Sequence, residues 1–368
     1  METTSVSPRL QSLDIYRGAA VAGMILVDNP GSDELAYGPI KHTVWNGWTP
    51  ADLIFPSFLF IVGVSLVFSI SARLARGESR GHIFIHAFQR TLILIAIGIF
   101  LNAFPVFDVG TWRIEGVLQR IAVCYLISVA LFLWTSTRGQ VVAAVACLIG
   151  YWLLVRFVPV PGFGIPGRDI PFLHPDGNIV AWLDRTLFPG RLYEGTRDPE
   201  GLLSTLPAIA TCLLGVFAGL LLKDDRATPT QKSLWLIGSG AAMVAAGYLW
   251  SLQFPIVKEI WTSSFVLVAG GYSAILLGLM HQAIDVWGWK VWATAFVWIG
   301  ANAIAIYFIN GITGFEPFAL RFVGGDIKTW FDQIVTPGMG VFVAHLLGLA
   351  LAIALAGYLY RNKIFLRV

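Results

Sequence analysis

The chain is 368 residues long, 56% hydrophobic and 13% charged, with a net charge of +3. Soluble domains carry about 25% charged residues, so the composition excludes a water-soluble enzyme and identifies a polytopic membrane protein. The small net charge gives no reason to expect a nucleic-acid partner. Apolar stretches long enough to cross about 30 Å of hydrocarbon as helices fall near 11–29, 51–73, 83–104, 116–134, 139–158, 201–222, 233–252, 263–284, 291–312 and 338–360. The expected fold is therefore an all-α polytopic membrane protein, a single transmembrane domain over 1–368 with about ten spans. Residues 1–8 are polar and lack a basic leader, so the first span is expected to remain as an anchor. Cys124, Cys147 and Cys212 fall in apolar runs and read as small buried residues, not as a disulfide or metal set.

Lys and Arg placement sets the orientation. Arg73, Arg76, Arg80, Arg138, Lys223, Arg226, Lys232, Lys290 and Arg361 gather at one set of helix ends. The opposite short loops carry only Lys41, Arg113, Lys258, Arg321 and Lys328. The richer set is expected to be cytoplasmic, with both termini inside. The loop around residue 42 and a Pro- and Gly-rich loop from about 159 to 200 then face outwards. That long loop reads either as an irregular cap with a short helix near 178–187 or as a lid over an outward site.

Ionisable groups inside spans are costly and mark function or paired structure. Asp14 and Arg17 share one face of the first span and can pair. Asp28 and Asn29 lie at its far end, about 22 Å from Asp14 at 1.5 Å per residue. Lys41, His42, Trp45, Asn46 and Asp52 crowd together at the mouth of the second span. The tryptophans fit an interfacial belt, but a belt does not explain Asp52. Arg90 lies in the third span, near His82 and His86, as a phosphate-holding patch or a positive-inside cluster. Arg120, one turn into the fourth span, reads as a snorkelling side chain or a cavity cation, with Glu115 as a candidate partner. Glu200 precedes the sixth span, where the macrodipole alone favours an acid. No Walker loop, CxxC pair or HExxH motif is present, and no metal is expected. The buried charges alone also admit a sugar or anion transporter, although no internal repeat is visible.

Six segments carry a resemblance: RLQSLDIYRG (9–18), KHTVWNGWTPADLIFPSFLFIVG (41–63), RIEGVLQRIAVCY (113–125), DPEGLLSTLPAI (198–209), WTSSFVL (261–267) and LYR (359–361). In these the chain resembles the transmembrane acyltransferases of the heparan-α-glucosaminide N-acetyltransferase family, in a compact bacterial form without the additional N-terminal lumenal domain. The resemblance implies acetyl transfer from cytosolic acetyl-CoA to an extracytoplasmic amino sugar at the bacterial cytoplasmic membrane. It assigns His42 as the active-site histidine and Asn29 as its important partner. Arg17 with Asp14, Arg90 and Arg120 are then expected along the CoA path. Asp28, Lys41, Trp45, Asn46, Asp52 and Glu200 are expected towards the acceptor. An acetyl-imidazole on His42 and direct transfer with His42 as base both remain open, as do an O-acyltransferase acting on an envelope glycan and a homodimer.

Overall fold

A computed structural model describes residues 10–27, 41–323 and 325–366. Backbone polar groups find no water in lipid and must pair within their own segment, so the apolar stretches become helices. In chain order these are α1 (Gln11–Val27), α2 (Ile54–Ala75), α3 (Arg80–Ala103), α4 (Val117–Trp134), α5 (Thr137–Phe157), α6 (Ile179–Leu187) and α7 (Thr205–Lys223). They continue with α8 (Pro229–Ser251), α9 (Ser263–Met280), α10 (Thr294–Ala301), α11 (Ala303–Thr313), α12 (Phe315–Val323), α13 (Asp326–Ile334) and α14 (Met339–Arg361). Local chemistry sets several starts. Ser79 and Ser136 accept from the backbone N–H groups of His82 and Gly139. Thr228 and Gln231 form a capping box that opens α8, with Pro229 at its first position.

Among the described residues, eight helices are long and apolar enough to cross a bilayer. α1 is described over 17 residues. The apolar stretch 291–312 departs from expectation: it is not one straight span. α10 and α11 meet at 71°. The break falls at Asn302, whose N–H bonds the carbonyl of Ile299 while its own carbonyl accepts from Ile306. One residue thus ends a helix and starts the next. Gly300 explains why the bend is held: a Cβ there would lie 2.1 Å from the carbonyl oxygen of Asp14, so α10 is pressed against α1. The short amphipathic helices α12 and α13 were not expected either, whereas α6 falls where a short helix was expected in the long loop.

Small residues let membrane helices approach closely and gain dispersion contact. α2 and α7 use this reciprocally. A Cβ on Gly63 would sit 2.0 Å from the Cys212 carbonyl oxygen, and one on Gly215 would sit 2.0 Å from that of Phe60. The surrounding core holds Leu59, Val67, Leu213, Val216 and Phe265, all buried.

Four connections meet at one end of the bundle: those preceding α2, between α3 and α4, between α5 and α7, and between α8 and α9. Gly47 N–H donates to the Ile256 carbonyl at 2.8 Å. Trp45 Nε1 donates to the Leu173 carbonyl at 3.1 Å. Arg191 N–H donates to the Trp112 carbonyl at 3.3 Å. This gathering builds the site.

Candidate active site

The sequence PADL at residues 50–53 forms a single tight turn that runs directly into α2. It holds Asp52 fully buried at the head of a rigid span. The preceding loop wraps around this carboxylate. Asp52 Oδ2 accepts from Thr49 N–H at 2.9 Å and from Thr43 N–H at 3.2 Å, and the Thr49 hydroxyl also lies 3.2 Å away. Asp52 Oδ1 is left for two side chains. His42 Nδ1 lies 2.8 Å from it, and Lys258 Nζ lies 3.2 Å from it. Lys258 Nζ is also 3.1 Å from His42 Nδ1. One imidazole nitrogen is therefore committed to a buried carboxylate and an ammonium. Nε2 is the nitrogen that remains for chemistry, the arrangement by which an acid fixes a histidine's orientation and tautomer.

His42 lines a cavity of about 1130 Å³. The cavity follows one face of α2, with Ile54, Phe55, Phe58, Ile61, Val62, Ser65, Leu66, Ser69 and Ile70 on its wall. This spacing is the stripe of a single helix face, and 16 residues of rise give it a length of about 24 Å. At the far end Arg17 donates to Ser65 Oγ at 2.8 Å and lies 3.6 Å from Asp14. Arg90 is also on the wall, with its guanidinium 5.1 Å from the centre of the Tyr125 ring. Val21, Met24, Leu94, Leu118 and Ile304 supply an apolar middle. The loop end carries Lys41, His42, Arg113, Tyr193, Glu194, Arg197, Glu200, Lys258 and Glu259.

The long loop between α5 and α7 is clamped over this end by ion pairs. Arg113 Nε donates to Asp198 Oδ2 at 2.7 Å and its Nη2 reaches Glu200. Burial works against the Arg113 charge, but Asp198 and Glu200 outweigh it and hold the guanidinium more firmly protonated than usual. Arg197 donates to Asp176 at 3.1 Å and stacks on Trp45, 5.2 Å from its ring centre. Glu259 has a different environment. Burial pushes its carboxyl up to about 7; Glu200 and Glu194 add to the shift, and Lys258 and Arg197 oppose it. Glu259 Oε2 is buried and has no hydrogen-bond partner among the described residues.

The cavity thus brings together Arg17, Arg90, Lys41, His42 and Glu200, with Asp52 directly behind His42. It does not include Arg120. That side chain is buried, donates to the Gly201 carbonyl at 2.9 Å and to Ser204, and lies over Trp261. It braces the start of α7 and is absent from the cavity wall, because its face of α4 points to the 201–204 turn. Asp14 is buried behind Arg17. Trp45 is a strut between loops, and Asn46 is exposed beside Val257; neither lines the cavity. Asp28 and Asn29 lie outside the described residues. The sequence reading missed the roles of Lys258 and Glu259. In sequence Lys258 is only a loop charge, 216 residues from the histidine it touches; the nearest signal is the WTSSFVL segment beginning three residues later. Among the described residues no group of three His, Cys, Asp or Glu is placed to hold a metal ion.

A family model described as heparan-alpha-glucosaminide N-acetyltransferase, catalytic, matches residues 9–243. The chain belongs to this family. It is 30% identical over 421 residues to the heparan-alpha-glucosaminide N-acetyltransferase of Homo sapiens and 28% identical over 417 residues to that of Mus musculus. Each alignment covers 99% of this chain and 61% of the relative, so the chain spans about three-fifths of the relatives' length. The part matched to the heparan-alpha-glucosaminide N-acetyltransferase model contains every site residue read from the sequence. Lys258 and Glu259 lie beyond it.

Proposed function

We propose that the chain is a transmembrane N-acetyltransferase that moves an acetyl group from cytosolic acetyl-CoA to the amine of a glucosamine-like sugar on the opposite side. The observation that carries this reading is the cavity along α2, with arginines at one end and the His42–Asp52–Lys258 group at the other. Arg17 and Arg90 offer guanidinium groups suited to phosphates. The apolar middle suits an extended pantetheine arm, which would present its thioester at His42. The Lys- and Arg-rich helix ends are then cytoplasmic, and the clamped loops face outwards.

The chemistry follows from the ring nitrogen left over. A primary amine must shed a proton as it attacks a thioester carbonyl. His42 Nε2 takes that proton as the carbon–nitrogen bond forms, and Asp52 stabilises the imidazolium through Nδ1. The carbonyl then reforms, the carbon–sulfur bond breaks, and the thiolate of CoA leaves and is protonated. Direct transfer needs no second acyl carrier.

The test is release of CoA by purified protein supplied with acetyl-CoA and a panel of amino sugars. His42→Ala is expected to keep acetyl-CoA binding and lose turnover by two orders of magnitude or more. Wild-type turnover in that variant, or CoA release that no amino sugar stimulates, overturns the reading. Competent accumulation of label on His42 from acetyl-CoA alone would replace direct transfer by the acetyl-imidazole route.

A further inference from the structure

The cavity changes character along its length. The α1 and α3 end is cationic, whereas the loop end, which holds His42, also carries Glu194, Glu200 and Glu259. Two of these carboxylates are already engaged. Glu200 is held by Arg113, and Glu194 Oε2 lies 3.8 Å from Arg197. The cations beside Glu259 are committed elsewhere too. Lys258 Nζ is directed at Asp52 and His42, and Arg197 is directed at Asp176 and Trp45, with its buried Nε unpaired among the described residues. Glu259 Oε2 is therefore a buried oxygen on the wall of the reaction cavity with no donor among the described residues. A buried acceptor left unmatched is costly, and at a cavity wall a water molecule or a bound ligand supplies the donor.

We propose that Glu259 is the counter-ion for the acceptor's ammonium group, and so the residue that selects an amine over a hydroxyl. This rests on the reading of the chain as an amino-sugar acetyltransferase and adds the residue that recognises the amine. Lys258 and Glu259 are adjacent in sequence but divide the work. Lys258 faces the histidine and its aspartate, while Glu259 holds the incoming cation next to them. The amine arrives as an ammonium ion and is held by the carboxylate; it loses one proton to water to become the free amine, and its second proton passes to His42 Nε2 as the carbon–nitrogen bond forms. The groups facing Glu259 are Lys258 beside it, Glu194, Arg197 and Glu200 from the outer loop, and His42 across the cavity. Burial raises the proton affinity of Glu259 to a midpoint at about 7, with Glu200 and Glu194 adding to it and Lys258 and Arg197 opposing it. It also gives a sign. Glu259 ionises as pH rises through about 7, so affinity for the ammonium form of the acceptor increases up to the pH at which the amine loses its own proton.

The experiment is steady-state kinetics of Glu259→Gln, which keeps shape and removes the charge, combined with calorimetric titration of glucosamine into both proteins without acetyl-CoA. The expected result is a KM for glucosamine raised roughly tenfold or more, with kcat and the KM for acetyl-CoA nearly unchanged. The fall in acceptor KM between pH 6 and 7 should disappear, and Glu259→Asp should recover part of the affinity. A KM for glucosamine equal to wild type overturns the proposal. So does a parallel loss in kcat and acetyl-CoA affinity, which marks a structural role. If the wild type acetylates no amino sugar, the parent reading fails; the titration then decides on Glu259 separately, and equal glucosamine binding by both proteins rejects it.

Discussion

Asp52 grips His42 from within the helix bundle. Its Oδ1 lies 2.8 Å from His42 Nδ1, while its Oδ2 accepts from Thr49 N–H at 2.9 Å and from Thr43 N–H at 3.2 Å. The carboxylate is fixed by the turn that opens α2, so it imposes orientation on the histidine and not the reverse. Lys258 Nζ, 3.2 Å from Oδ1, balances the buried charge.

Replacing Asp52 by Asn keeps the shape but removes the anion that stabilises an imidazolium. Turnover is expected to fall by about two to four orders of magnitude, with acetyl-CoA binding retained. The comparison is CoA release against equilibrium binding of acetyl-CoA on the same preparation. Turnover within threefold of wild type would show that the carboxylate serves only to fold the loop.

Lys258 acts on the same pair with the opposite charge. Removing it leaves the buried Asp52 charge without its ammonium partner. Lys258→Met should therefore lower turnover by about tenfold or more, and Lys258→Arg should restore much of it. Unchanged CoA release in Lys258→Met would mean that the ammonium does not support the pair.

Glu115 carries a consequence for stability. Both of its carboxylate oxygens are buried without a hydrogen-bond partner among the described residues. Burial, with Asp184 and Asp198 adding to it, pushes the carboxyl up to about 9 against the pull of Arg120 and Arg113. In the unfolded chain the same group ionises near 4.3. Between those values the folded protein holds a proton that the unfolded chain has released, so stability falls as pH rises from about 4.5 to about 9. Glu115→Gln removes this dependence. Its thermal midpoint in detergent should exceed that of wild type at pH 8.5, with the difference shrinking towards pH 5; a constant difference across that range would refute the assignment.

Close helix contact makes a separate, purely steric prediction. Gly63→Leu places side-chain atoms where the Cys212 carbonyl already lies, and overpacking of this kind costs about 1–3 kcal/mol. On α8, a Cβ added at Gly238 would meet nothing within 4 Å, so Gly238→Ala should be neutral or gain up to about 1 kcal/mol. Thermal unfolding of the two variants side by side reads the difference, and equal midpoints would show that α2 and α7 can separate freely.

Most of the helices were legible because twenty apolar residues in lipid have one solution and because Ser, Thr and Pro punctuate their starts. His42 and Asp52 were legible as polar residues crowded at the mouth of a span. The break at Asn302 was not, since IGANAIAIYF holds no proline and reads as a continuous apolar run; the bend comes from α10 lying against Asp14 of α1 through Gly300. Arg120 shows the converse. Depth in a span suggested a cavity cation, but depth does not reveal which face of the helix looks inwards. Lys258 and Glu259 carry no local pattern at all, because their role arises when a loop after α8 is pinned to the loop before α2.

The wall of the cavity draws on Arg17 in α1, Arg90 in α3, Glu259 ahead of α9 and Gly311 in α11. During synthesis Arg17 enters the membrane nearly three hundred positions before Gly311. A nascent chain that carries its histidine, aspartate and arginines therefore has a furrow open on one side, and gains an enclosed conduit only when the bent pair docks. Activity is therefore expected only once the C-terminal helices have been made. It also means that a polypeptide cut in the short connection at Asp224–Thr228 should regain activity when both pieces are expressed together, and neither piece should have any alone.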